Sequence, residues 1–62
     1  MKMIPVNSKS IHSIGYENGI LIVKFITGKS YTHENIPQNV FNGLINAASK
    51  GRYYNTFIRG KY

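Results

Sequence analysis

Residues 50 to 62, at the end of the chain, combine positive charge with aromatic rings. They contain four of the eight Lys and Arg residues and four of the eight Tyr and Phe residues, with no Asp or Glu. Cations attract phosphate and release its counterions, and aromatic rings stack on unpaired bases. This segment, the basic aromatic tail, therefore predicts a surface for nucleic acid. The alternative is that the rings complete a small core while the cations remain in water.

The candidates for phosphate contact are the cations of the tail: Lys50, Arg52, Arg59 and Lys61. Three or four such contacts would give a slope of about −2 to −4 when the logarithm of affinity is plotted against that of salt concentration. Arg59 lies between Ile58 and Gly60. A structural role, in which its guanidinium binds main-chain carbonyls, is therefore as well supported as a contact with RNA.

The rings of the tail divide into two groups. At helical spacing, Tyr54 and Phe57 share a face with Ile58, which predicts that both rings are buried in the core. Tyr53 and Tyr62 fall outside this face. They are the better candidates for stacking on a base.

Two further rings, Tyr31 and His33, alternate on one face of a predicted strand. Aromatics on a sheet can form a stacking platform for RNA, and packing beneath the tail is the equal alternative. His12 and His33 also raise the hypothesis of a nuclease, because two imidazoles near a Lys can cleave RNA by acid–base catalysis. No acidic residue is evidently placed to orient either ring, so we expect a non-catalytic protein.

The elements that must position these residues begin with strands. Asn18-Gly19 lies between two apolar runs, which predicts a hairpin because both residues tolerate positive φ. Residues 20–26 follow as a β-branched central strand. A turn at 27–29 and a strand over 30–35 complete a three-stranded antiparallel meander.

A helix is predicted after the sheet. Pro37 suits its first turn, and apolar residues then recur at helical spacing: Val40, Phe41, Leu44, Ile45 and Ala48. Gly51 is expected to end this helix in a left-handed conformation, and a second, short helical turn is expected to run to Gly60. The predicted fold class is α+β, with the helix packed on one face of the sheet.

Length and composition limit the architecture to one small domain. The chain has 62 residues, and a domain of that size buries only about 60% of its unfolded surface. Residues 1–9 show no sustained period and are expected to be a loosely ordered lead-in or a short edge segment before a domain at 10–62. The chain has no Cys, which excludes disulfides and thiolate metal sites and suits a reducing cytoplasm.

The net charge of +6 favours anionic partners. The longest apolar stretch, residues 20–26, is far short of the roughly 20 residues that span a bilayer, and no secretory signal precedes it. Lipid ranks last, since the predicted long helix carries no cation. No metal-ligand spacing or phosphate-binding glycine loop is present, so we expect no metal, cofactor or small-molecule substrate.

The order of motifs resembles the KTSC domain, a short bacterial module named for its place at the C-terminus of some lysyl-tRNA synthetases. The resemblance covers 10–62 and is most specific in one run: Ser49-Lys50-Gly51, Tyr54-Asn55 and Ile58-Arg59-Gly60-Lys61-Tyr62. The family has a central Tyr-x-Tyr, whereas the matching positions here are Tyr31 and His33. The synthetase context implies RNA binding.

These observations predict a non-catalytic, cytoplasmic RNA-binding domain that uses the basic aromatic tail together with Tyr31 and His33. The alternative is a protein-interaction or self-associating module. Ile20 and Ile22 lie on the sheet face opposite the predicted helix, where burial requires either the tail or another subunit. A stripe of uncharged polar residues on the helix offers a second docking surface: Asn39, Asn42 and Asn46.

Overall fold

The computed structural model describes residues 1–62, which form one antiparallel sheet with its helices on a single face. The strands are β1 (Ile4–Pro5), β2 (Ile11–Glu17), β3 (Ile20–Phe25) and β4 (Ser30–His33), in that spatial order. They are followed by α1 (Gln38–Asn46), α2 (Lys50–Tyr53) and a π-helix (Tyr54–Ile58). The α+β class is thus confirmed.

The two turns of the sheet follow from residues that tolerate positive φ. Asn18 and Gly19 have φ values of 52° and 80°, so the tight hairpin between β2 and β3 is as predicted. Gly28 has a φ of 97° in the turn before β4. Both turns reverse the chain directly, which makes β2 to β4 the predicted meander.

The prediction of three strands is wrong, because the sheet has a fourth. Ile4 and Pro5 pair with Ile14 and Ser13 along the outer edge of β2. A two-residue strand is too short to show a period of two in the sequence, so the meander pattern did not include it. Of the two expectations for the first nine residues, the structure shows the short edge segment.

The core lies between the sheet and its helices. Eight apolar residues are buried together: Ile11, Ile14, Leu21, Val23, Ile36, Leu44, Tyr54 and Ile58. Tyr16 closes one end, since its ring stacks on Phe41 at 4.5 Å and its hydroxyl donates to the carbonyl of Ile36 at 2.5 Å. The sheet, α1 and the π-helix therefore share one core.

The helices differ from the prediction at their ends. Pro37 is the N-cap of α1, and its carbonyl accepts the N–H of Val40 at 3.1 Å. Gly51 does not end this helix in a left-handed conformation, because α1 ends at Asn46 and Gly51 lies inside α2. Glycine is needed at this position because α2 lies close to Ser10, and a Cβ on Gly51 would collide with Ser10 Oγ. Gly60, with a φ of 81°, follows the π-helix as expected.

Phe57 is not in the core, contrary to the prediction. It is 48% exposed, whereas Tyr54 and Ile58 are buried. The reason is the π-helix, in which the N–H of Arg59 bonds to the carbonyl of Tyr54 at 2.8 Å and the turn is wider than in an α-helix. In this wider turn residue i+4 returns to the buried face and residue i+3 points away from it.

The opposite face of the sheet carries no helix. Its main cover is the start of the chain: a Cβ on Gly15 would lie 2.6 Å from Met3 Sδ and 3.0 Å from Met1 Sδ. Ile20 and Ile22 are half-buried on this face. We call this surface, formed by Met1, Met3, Ile20 and Ile22, the bare sheet face.

None of the helices has the length and apolar character needed to cross a bilayer.

Candidate nucleic-acid interface

An open groove of about 1330 Å³ runs between the segment before β2, the β3–β4 end of the sheet and the segment 48–59, which contains α2 and the π-helix. Five cations line it: Lys9, Lys29, Lys50, Arg52 and Arg59. Neither Asp nor Glu does. We call this surface the cationic groove. With no acid to neutralise its cations, it has the electrostatic character that attracts a polyanion.

Two of these cations were not predicted. Lys9 stands before β2, where Ser8 Oγ accepts the N–H groups of Ser10 and Ile11, both at 3.2 Å, and so orders the segment. Lys29 stands in the turn before β4. Neither belongs to a motif. Only the pairing of the strands and the return of α2 onto Ser10 bring these residues to the tail, so no local signal could have identified them.

Of the cations singled out in the sequence, Lys50, Arg52 and Arg59 line the groove, and their side chains differ in what they contact. The Lys50 ammonium donates to the carbonyl of Ala47 at 3.1 Å, while Arg52 and Arg59 are exposed. The structural alternative for Arg59 is not supported, because the side-chain hydrogen bonds of the structure do not include its guanidinium. Arg52 and Arg59 are therefore available to an anionic ligand.

The floor of the groove is aromatic. Tyr31 is 46% exposed and meets Phe25 edge to face, with centroids 5.6 Å apart at 80°. Phe25 meets Tyr54 in the same way, at 5.4 Å and 71°. Such contacts fix the position of a ring. Tyr31 thus offers a supported aromatic surface beside the cations.

His33 joins this floor to the end of the tail. Its Nδ1 lies 3.2 Å from the main-chain oxygen of Tyr62, which can only accept, so Nδ1 is the donor. In the neutral imidazole, Nε2 then accepts from the Tyr54 hydroxyl at 2.7 Å. Tyr54 and His33 are therefore part of the framework of the groove, and the end of the tail returns to the sheet at His33.

Burial raises the pKa of the Tyr54 hydroxyl above its ordinary value of 10.0. The positive charge of Arg59 opposes this rise, and Tyr31 adds to it. Burial dominates because an anionic phenolate would lose its hydration. The hydroxyl thus stays protonated at neutral pH and is able to donate a hydrogen bond.

Three predicted residues lie outside the cationic groove. Tyr53 is half-buried against the core, and its ring packs on Phe57 with centroids 4.7 Å apart. The Lys61 ammonium lies 5.9 Å from the centroid of the Phe57 ring. Tyr62 is 45% exposed and lines no part of the groove. The tail thus divides between two surfaces, because the π-helix turns Phe57 away from Tyr54.

The structure does not bring His12 and His33 together in the groove. His12 is exposed on β2, and its Nδ1 lies 3.1 Å from Ser13 Oγ. His33 lines the groove from β4, whereas His12 does not line it. The pair of imidazoles that the nuclease hypothesis requires is therefore not assembled at this site.

Two proteins are similar to this chain over nearly its whole length, one in structure and one in sequence. The crystal structure of a KTSC domain protein from Yersinia pestis matches with a TM-score of 0.91 and 34% identity, covering 97% of this chain and 87% of that chain. An uncharacterized protein of Stutzerimonas stutzeri is 36% identical over 64 residues, covering 100% of this chain and 90% of that protein.

A much longer relative contains a similar segment. A lysine–tRNA ligase of Nostoc punctiforme is 40% identical over 42 residues, which are 68% of this chain and 8% of the ligase. The KTSC domain family model matches residues 7–62, nearly the whole chain. The resemblance found in the sequence is thereby confirmed, and this chain belongs to the KTSC domain family.

Proposed function

We propose that this domain binds RNA through the cationic groove, without catalysing a reaction on it. The observation that carries the proposal is the composition of the groove. Five cations and an exposed Tyr31 ring converge there from separate parts of the chain, and no acid accompanies them. Phosphate and base are the two chemical groups that such a surface matches together.

The charges account for affinity. Each phosphate that a Lys or Arg neutralises on a single strand contributes about −0.7 to the slope of log affinity against log salt. With five cations in the groove, a slope of up to about −3.5 follows. Binding should therefore be tight at low salt and weaken steeply as salt is added.

The rings account for a preference for unpaired bases. Stacking of a base on an aromatic side chain contributes about 1–3 kcal/mol, as measured by alanine substitution. Tyr31 is exposed toward the groove and supported from behind by Phe25, so its ring is already held in place before a base arrives. A protein surface or an acidic peptide has no base to stack on the exposed Tyr31 ring, so it would make less use of this ring.

RNA, rather than another polyanion, is supported by the relative from Nostoc punctiforme. That protein is named a lysine–tRNA ligase, so its named substrate is tRNA. The segment that it shares with this chain would serve such an enzyme as an additional RNA contact. We extend this role to the domain described here.

Matched charge variants test the proposal. Lys29 and Arg52 line the groove, whereas Lys24 is exposed on the opposite face of the same sheet. Fluorescence anisotropy with labelled single-stranded RNA should show that K29Q and R52Q each weaken binding about fivefold at ~0.1 M salt and make the slope less steep by about 0.7. K24Q removes the same charge and should have a smaller effect on both quantities. Absence of binding at low salt, or equal effects of all three variants, would refute the proposal.

Self-association is the second candidate function, and the bare sheet face favours it. Met1 is 49% exposed there, and Ile20 and Ile22 are only half-buried. A second copy of the chain would cover the same apolar residues in both partners. This surface lies on the opposite side of the sheet from the groove, so the two functions would be compatible.

A further inference from the structure

Phe57 lies in a second, smaller cleft next to the cationic groove. This cleft has a volume of about 380 Å³ and five lining residues: Ser49, Arg52, Tyr53, Thr56 and Phe57. Three of them, Ser49, Arg52 and Thr56, also line the cationic groove. The two concave surfaces therefore adjoin at these three residues, Arg52 among them.

The Phe57 ring has the surroundings of a stacking position. Tyr53 packs against it at 4.7 Å with a tilt of 43° and thereby holds it, yet Phe57 remains 48% exposed. Most Phe rings in folded proteins are buried more deeply than this one. The π-helix instead presents it beside Arg52, a cation that can hold the phosphate of a stacked nucleotide.

Lys61 lies over this ring, with its ammonium 5.9 Å from the centroid. An exposed cation–π contact of this kind is weaker than the stacking of a base on an aromatic side chain. A base can therefore displace the ammonium from the ring. Lys61 is long and exposed, so it would remain near enough to contact the adjacent phosphate.

We infer that the two clefts form one track for single-stranded RNA, which runs from Tyr31 in the cationic groove past Arg52 and stacks a base on Phe57. This inference rests on the proposed function and specifies its ligand as a single strand. Bases reach two separate rings only when they are unpaired, because in a duplex their faces are stacked inside.

The dimensions of the site agree with a polymer segment. The groove alone, at about 1330 Å³, exceeds the roughly 300–1,000 Å³ of pockets that enclose a drug-sized ligand. A duplex-binding domain of the double-stranded RNA type spans ~16 base pairs, on the order of 50 Å of duplex. The longest Cα extent of this domain is 25 Å. A short single strand fits the molecule better than a duplex.

A length series with matched ring variants tests the track. Single-stranded RNAs of increasing length, from a trinucleotide upward, are titrated by anisotropy against the wild type, F57L and Y62L. Phe57 and Tyr62 are similarly exposed, but only Phe57 lines a cleft. F57L should weaken the longer RNAs about 5- to 150-fold, the equivalent of one stacked base, and leave the shortest RNAs unchanged. Y62L should match the wild type at every length, and a duplex of the same length should bind more weakly than the single strand.

The outcomes separate this inference from the function on which it rests. If the wild type binds RNA and K29Q weakens it, while F57L has no effect at any length, the track is refuted and the groove remains the binding site. Equal affinity for duplex and single strand refutes the track in the same way. If the wild type binds no RNA at low salt, the proposed function itself fails. Because Phe57 is exposed, F57L is expected to fold, and its circular dichroism spectrum checks this.

Discussion

At the scale of single residues, Tyr54 connects the core with the site. Its ring is 3% exposed, while its hydroxyl reaches His33 at the edge of the groove. The sequence correctly predicted a buried ring, since Tyr54 lies at helical spacing with Ile58. It could not predict the hydrogen bond, because the partner is 21 residues away on β4. A residue predicted as pure core thus also supports the framework of the cationic groove.

The raised pKa of Tyr54 predicts how stability depends on pH. A pKa raised in the folded state means that the folded protein holds the phenolic proton more tightly than the unfolded chain does. This contribution is fully present below pH ~10, the ordinary pKa, and is lost as the pH rises through the folded pKa. The wild type should therefore lose stability above pH ~10 in part through this group.

The variant Y54F isolates this effect. At pH 7 it lacks the hydrogen bond to His33 and should be less stable than the wild type by about 1 kcal/mol. Above pH ~10 the difference should shrink, because only the wild type has a hydroxyl to ionise at this position. Urea unfolding from pH 7 to 11 measures both quantities. Curves for the two proteins that stay parallel over this range would contradict the assignment.

Phe57 shows the limit of prediction at this scale. Helical spacing placed it in the core with Tyr54, and that assumes a turn of 3.6 residues. A π-helix leaves no distinct signature in one sequence, so the wider turn and the exposed ring could not be anticipated. The cations Lys9 and Lys29 escaped prediction for a different reason, since their place in the groove depends on tertiary contacts.

At the scale of elements, the local signals were most accurate where the backbone required a special residue. Asn18-Gly19 fixed the hairpin, and Gly60 follows the helical segment with positive φ. Gly51 was assigned the same role wrongly, because a glycine can also be needed for closeness between elements. The helix α2 approaches Ser10 there. One sequence does not distinguish these two requirements.

Gly43 in α1 also lies close to a neighbouring element, and this closeness predicts the effect of a G43A substitution on stability. By helix propensity alone, G43A should stabilise the protein by about 1 kcal/mol. However, a Cβ on Gly43 would collide with the Tyr53 hydroxyl and lie 2.6 Å from Tyr53 Cζ. Overpacking of this kind typically costs about 1–3 kcal/mol, so we expect G43A to be less stable than the wild type in urea unfolding.

A double-mutant cycle separates the two effects. Y53L removes the ring that fills the space beside Gly43, and in this background G43A should become neutral or stabilising. The coupling energy between the two positions then reports how closely α1 packs on α2. Equal effects of G43A in both backgrounds would show that Tyr53 does not limit this position.

At the scale of the whole molecule, the main cluster of cations and the bare sheet face are separated. Five of the eight Lys and Arg residues line the cationic groove, whereas Glu17 and Glu34 lie outside it. The bare sheet face is on the other side of the sheet. The net charge could be counted from the sequence, but its concentration on one side depends on how the meander and the tail fold together. Under the proposed functions, this separation would let the groove bind RNA while the opposite face contacts a second copy of the chain.

The same separation predicts that self-association and RNA binding are independent. Light scattering should give a mass that rises from 7.0 kDa toward twice that value with increasing concentration, and I22K should keep the mass at 7.0 kDa because it places a charge on the bare sheet face. The affinity of I22K for RNA should equal that of the wild type, since Ile22 lies on the face opposite the groove. K29Q is the complementary control and should weaken RNA binding without changing the mass.

If I22K is poorly folded by circular dichroism, the milder I22T repeats the test. A wild-type mass that stays at 7.0 kDa at all concentrations would eliminate self-association, and a loss of RNA affinity in well-folded I22K would show that the two faces are coupled.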